Sequence, residues 1–252
     1  MGRAAAVLSR PRAVGLAATA ASVTAYASGA RHLWELPECW DVVVVGFVVL
    51  PASLALVWLA LPLAATPPKH PLLFPGLAGA AAVALGLAGL EGPFQVAKFA
   101  AFAFVGLSLI WLFESLWWVT LVAALIPWID IWSVTSGPTR RLIEDRPSII
   151  EHVAVGFPFP GGDSTIYLGP PDVIFFAIFL GMAARFGLRL AWTWIAMTGL
   201  LGATLAALVL GAISGLPALP AVCFGFLIPN LDLLWRDVRD SWRARREARA
   251  AE

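Results

Sequence analysis

Apolar residues in this chain come in long, nearly unbroken runs, punctuated by charged residues, prolines and glycines. Runs of about 20 residues are long enough to cross a hydrocarbon core as helices. Marking them off predicts about eight such helices, over 13–30, 42–65, 72–90, 94–113, 115–135, 167–188, 190–213 and 216–235. The stretch from Val96 to Val134 carries only Lys98, Glu114 and Asp130 as charges, and as one helix it would be about 58 Å long. That is nearly two bilayer cores, so the chain is expected to fold back at Glu114-Ser115. The first run is softer: Arg3, Arg10 and Arg12 precede an Ala/Gly/Thr/Ser stretch ending in Ala27-Ser28-Gly29-Ala30. It reads as a span or as a secretory signal.

Composition strengthens the membrane reading. The 252 residues are 60% hydrophobic and 13% charged, where soluble domains carry about 25% charged residues. With 17 basic and 16 acidic side chains there is no polar skin for a soluble fold of this size. A net charge of +1 gives no general attraction to nucleic acid. The expected fold is therefore all-α, a polytopic bundle in a cell membrane, and the Ala-, Gly- and Arg-rich, Lys-poor composition points to a bacterial one. Cytoplasmic segments are enriched in Lys and Arg. Placing the N-terminus inside puts twelve of the basic residues in the cytoplasm, among them Arg12, Arg185, Arg189 and the run from Arg236 to Arg249. Four, Arg31, Arg140, Arg141 and Arg146, fall outside. Residues 1–113 then form the N-terminal helices, 114–235 a second group around an extracytoplasmic loop at 136–166, and 236–252 a basic cytoplasmic tail. Cys39 and Cys223 lie far apart and suggest neither a disulfide framework nor a metal site.

Most ionisable residues fall at the ends of these runs, but Asp130 in Trp128-Ile129-Asp130-Ile131-Trp132 and Asp172 in Gly169-Pro170-Pro171-Asp172 do not. A carboxylate at membrane depth costs several kcal/mol, of order 2.5–3.5 at mid-helix, and is a functional candidate by default. Its plainer role is a hydrogen bond between helices. Asp130 falls about 9 Å before the end of its predicted helix and Asp172 about 7.5 Å after the start of the next. The two helices are expected to pack as antiparallel neighbours, with both carboxylates under one membrane face. Two close carboxylates do not both ionise cheaply: one acts as general base on water while the protonated partner donates to a scissile carbonyl. A third element, Leu216-Pro217-Ala218-Leu219-Pro220, opens the last run at the same face. Its prolines leave backbone carbonyls unpaired, which membrane depth tolerates only where a protein or water-filled cleft covers them.

An aspartate near the end of one span, a Gly-x-x-Asp motif opening the next and a later Pro-Ala-Leu together resemble the presenilin and signal peptide peptidase family of intramembrane aspartyl proteases. The resemblance covers about residues 110–235. It implies that Asp130 and Asp172 are the catalytic pair, that Gly169, Pro170 and Pro171 form the approach to the second aspartate, and that Pro217, Ala218 and Leu219 shape the site. It also implies transmembrane helices or signal-peptide remnants as substrates, with no metal or organic cofactor. The chain departs from the family pattern in Ile129, where a tyrosine is usual, in Pro171, where a glycine is usual, and in having one helix fewer than nine. The two prolines are expected to stiffen the approach to Asp172 and to remove amide donors. One alternative is a member that binds helices without cleaving them. A proton-coupled transporter is another, although no internal repeat supports it.

Other chemistry is weaker. His32, His70 and His152 make no HExxH motif, and no histidine follows His152 to serve a rhomboid-like serine. Lys98 reads as a snorkelling residue and Glu114 as a turn residue. Most of the twelve tryptophans read as interfacial anchors. Ser148 to Gly156, followed by a Pro/Gly turn, reads as a surface loop with a Gly-Gly hinge or as a short strand whose exposed edge could pair with an unwound substrate.

Overall fold

The computed structural model describes residues 8–65, 67, 70–137, 152–211 and 216–250, with side chains described as far as Arg243. Among the described residues are eight helices and one hairpin. In chain order they are α1 (Arg10–Gly29), α2 (Glu38–Ala64), α3 (Leu73–Leu87), α4 (Glu91–Leu112) and α5 (Leu116–Thr135). The strands β1 (Val155–Pro158) and β2 (Thr165–Leu168) follow, then α6 (Pro170–Arg185), α7 (Leu190–Leu210) and α8 (Leu219–Ala250). Each of the eight predicted runs contains a helix, α8 continuing to Ala250 through what was expected as a tail, and the helices break at Glu114-Ser115 as expected. Five helices, α2, α4, α5, α7 and α8 as far as Arg243, are long and apolar enough to cross a membrane by length and composition. The molecule is thus a mostly helical protein of membrane type, and eight spans exceed what these lengths establish. At 15 residues α3 is short, as is α6 at 16; in α1 small and hydroxyl residues dilute the apolar content. The run 13–30 is here a bundle helix, α1, packed against α2 and α4.

The most apolar position in the bundle belongs to α6. Every residue from Phe176 to Ala183 is buried, as is Val173, and α4, α7 and α8 surround it. Its sequence, VIFFAIFLGMAA, is apolar on all sides, as a fully enclosed helix requires. Small residues allow the close approach that membrane helices use in place of a hydrophobic drive: a Cβ on Gly106 of α4 would collide with the Ile174 carbonyl of α6. Asp130 and Asp172 do not lie on an adjacent antiparallel pair along their whole length. Instead α5 packs chiefly against α8, which packs in turn on α6, and α5 meets α6 only over a short stretch. The expected α5–α6 pairing therefore holds only locally.

The all-α expectation also needs the hairpin added. Of Ser148 to Gly156, residues 148–151 lie outside the described residues. The strand begins at Val155, near the end of the predicted stretch, and pairs antiparallel with Thr165–Leu168, Val155 facing Leu168 and Pro158 facing Thr165. Residues 167 and 168 are consequently strand, so α6 begins at Pro170 and Asp172 lies in its first turn. Gly161 turns the hairpin at φ +70°, a conformation glycine adopts without strain. Its amide donates to the Ala30 carbonyl (2.8 Å).

Candidate active site

Asp130 lies three residues beyond Pro127, whose ring removes one backbone hydrogen bond within α5. Its half-buried carboxylate reaches across to α8, where Oδ2 accepts from the Leu219 amide at 3.1 Å. The reason lies in the sequence before α8. The first amides of a helix lack intrahelical acceptors, and Pro217-Ala218 offers no side chain to cap them, so a carboxylate from another helix does. Leu219 of the Pro-Ala-Leu element is thereby joined directly to the first candidate aspartate.

Asp172, also half-buried, is the third residue of α6. Its Oδ2 accepts from the Gly169 amide at 3.0 Å, and its own amide donates to the Gly169 carbonyl at 3.1 Å. Pro170 and Pro171 occupy the first two helical positions, where an amide would have no intrahelical acceptor and where proline's fixed φ suits the helix. The Gly-Pro-Pro-Asp variant therefore costs the helix no bond. Gly169 is in ordinary extended backbone (φ −65°, ψ 151°). What it supplies is room, because a Cβ there would stand 3.0 Å from Asp172 Oδ2.

The two aspartates are close enough for their charges to interact, and both also act on the Cys223 thiol of α8. They share no direct hydrogen bond; each carboxylate is held by a backbone amide. Leu216, Pro217 and Pro220 line an apolar groove of about 510 Å³ with Ile131 of α5 and Phe224 of α8. Ala218 borders a cleft of about 70 Å³ shared with Ile166 and Leu168 of β2 and with Leu201 and Leu205 of α7. Asp130 is thus joined to Leu219 of Pro217-Ala218-Leu219, the segment before α8 borders β2, and Gly169, Pro170, Pro171 and Asp172 follow β2 directly at the start of α6. Among the described residues no group of three or more His, Cys, Asp or Glu could hold a metal ion.

The hairpin is mounted rigidly. Val155, Phe157 and Leu168 are buried on its inner face, while the backbone groups at alternate positions of β1 point outward to α1 and α4. The Tyr26 hydroxyl donates to the Pro158 carbonyl (2.8 Å), and Gln95 Oε1 accepts from the Gly156 amide (2.9 Å). Lys98 Nζ donates to the Ala154 and His152 carbonyls (2.6 and 3.2 Å) and lies 4.4 Å from the centre of the Phe94 ring. Lys98 is 6% exposed, so the snorkelling expectation is corrected: two carbonyls and a ring face take the place of water. These side chains also cover the outer edge of β1, which corrects the expectation of an exposed edge in the described part of that stretch.

Sequence reasoning missed the Tyr26, Gln95 and Lys98 mount, because no spacing links those residues to a strand 50 or more positions away. Cys223 was detectable: it follows Leu219 by four residues and so shares its helix face. No family model, no curated protein and no solved structure matches this chain.

Proposed function

We propose that the chain is an intramembrane aspartyl protease of the presenilin and signal peptide peptidase type, cleaving transmembrane helices or signal-peptide remnants with Asp130 and Asp172. The observation that carries this reading is the convergence of three sequence-distant elements. Asp130 bonds Leu219 of Pro-Ala-Leu (3.1 Å), while Asp172 lies within electrostatic reach of Asp130. In the mechanism one ionised carboxylate removes a proton from water as the water oxygen attacks the peptide carbonyl carbon. The protonated partner gives its proton to the carbonyl oxygen. Collapse of the resulting diol returns a proton to the nitrogen and breaks the C–N bond. Asp130 is five residues from the end of α5 and Asp172 two from the start of α6, or about 7.5 and 3 Å of helix. The reading requires water to reach both from that end of the helices.

A second reading has its own support, since both carboxylates already serve as acceptors for helix N-terminal amides and a helix-binding protein without activity would need nothing more. Asparagine separates the two, because it still caps a helix but exchanges no proton. In lipid, Asp130→Asn and Asp172→Asn are each expected to remain folded and to lose cleavage of a model transmembrane peptide. If the unaltered protein cleaves no such peptide and ignores transition-state mimics of aspartyl proteases, the capping role is the whole function.

A further inference from the structure

At the opposite end of α6 a second cavity of about 470 Å³ opens between α1, α2, α4 and α6. Thirteen residues, about 20 Å of helix, separate Asp172 from Arg185, which lines this cavity together with Arg12 of α1. Trp58, Leu61 and Pro62 of α2 and Trp111 of α4 supply an apolar and aromatic wall, and no acidic residue lines it. Arg185 is held in place: Nη1 donates to the Ile110 and Phe113 carbonyls (2.7 and 2.9 Å), and the guanidinium lies 4.5 Å from the centre of the Trp111 ring. Its remaining N–H groups have no protein acceptor among the described residues, and Arg12 forms no hydrogen bond or ion pair with them. Four residues further on, by contrast, Arg189 has a carboxylate of its own, Asp232, bound through two parallel bonds (2.7 and 2.8 Å). The fold therefore pairs one arginine at this end with a carboxylate and places two exposed arginines on a shared, largely apolar cavity that no acidic residue lines.

We propose that this cavity binds the phosphate of an anionic phospholipid, with Arg12 and Arg185 on the phosphate oxygens and an acyl chain along the Leu61-Pro62 wall. Guanidinium groups match phosphate in charge and in paired geometry, and basic pockets between membrane helices favour anionic headgroups. Free phosphate shares the oxyanion chemistry but has no apolar stem for the wall. The site stands independently of the protease reading, because it uses none of the residues near Asp130 and Asp172.

Native mass spectrometry of the detergent-purified full chain, titrated with phosphatidylglycerol, phosphatidylcholine or inorganic phosphate, tests it. Phosphatidylglycerol is expected to be retained at least tenfold better than phosphatidylcholine and to resist displacement by millimolar inorganic phosphate. Arg12→Gln, which disturbs no bond in the fold, should weaken that retention about five- to tenfold. Arg31→Gln at the other face should leave it unchanged. Equal retention of the two lipids, or retention unaffected by Arg12→Gln, overturns the proposal. Displacement by inorganic phosphate alone would reassign the cavity to a free oxyanion and overturn the lipid.

Discussion

At its first turn α6 carries Asp172, whose carboxylate takes the Gly169 amide, and at its last turn Arg185, whose guanidinium donates to the carbonyls ending α4. Asp130 repeats the first arrangement on α8. Both ends of the bundle thus satisfy unpaired helix-terminal groups with the sign of charge that the helix dipole favours, anions at N-termini and a cation at a C-terminus. The difference is chemical. Carboxyl groups exchange protons in the accessible pH range, whereas a guanidinium does not. Of these groups only the aspartates can support acid–base catalysis; the Arg185 guanidinium can hold an anion or a helix end, and nothing that requires proton transfer.

The sharpest way to break this comparison is to remove the exchangeable protons. Asp130→Asn or Asp172→Asn should lower cleavage at least 10³-fold, at the upper range of general acid–base effects, with little change in thermal stability. The alanine variants should also lose about 1 kcal/mol of stability with the cap. The unaltered protein should show a bell-shaped pH profile whose two apparent constants belong to the pair. A single sigmoid, or asparagine variants as unstable as alanine, would assign the aspartates to structure alone.

Loosening the hairpin should have a smaller effect. Lys98→Met removes the donor to the buried Ala154 carbonyl and one donor to the His152 carbonyl, and it is expected to lower kcat about tenfold, in line with the sensitivity of catalysis to displaced groups, while amide exchange quickens at Val155 to Phe157. Unchanged exchange there would mean that Tyr26 and Gln95 hold the strand unaided. At the arginine end, Arg185→Met should cost about 1–2 kcal/mol through the lost carbonyl bonds, measured by thermal unfolding in lipid, and should leave both limbs of the pH profile where they were. The smallest effect belongs to Pro171→Gly. It restores an amide at a helical position that has no intrahelical acceptor, so turnover should change less than about twofold; a large rise would show that the stiff approach to Asp172 limits activity after all.

Particular residues show why some of this could be read from the chain and some could not. The runs of apolar residues predicted each of the eight helices among the described residues, and the fold-back at Glu114-Ser115 followed from length alone, because one helix from Val96 to Val134 would overrun a bilayer. Asp130, Asp172 and Leu219 stood out as candidates because charge and proline at membrane depth are costly wherever they occur. Tyr167 and Leu168 misled the helix boundary: being apolar and aromatic, they suit strand and helix equally in a short run, and only their pairing with Gly156 and Val155 decided for strand. Lys98 misled in another way. Sequence locates it near a helix end, where snorkelling is the cheap solution, while its burial depends on two carbonyls more than 50 residues away.

The chain's own pattern determined that this is a helical protein of membrane type and which of its carboxylates are expensive to place there, because hydrophobic burial and chain length are local quantities that add along the sequence. Partnership was left to the tertiary structure. It put α8 between the helices bearing the two aspartates, gave each carboxylate a helix end to cap, tied the hairpin to α1 and α4 and left two arginines facing one cavity. Those outcomes depend on which unsatisfied backbone groups meet which side chains once the helices pack, and no spacing along a chain encodes that meeting.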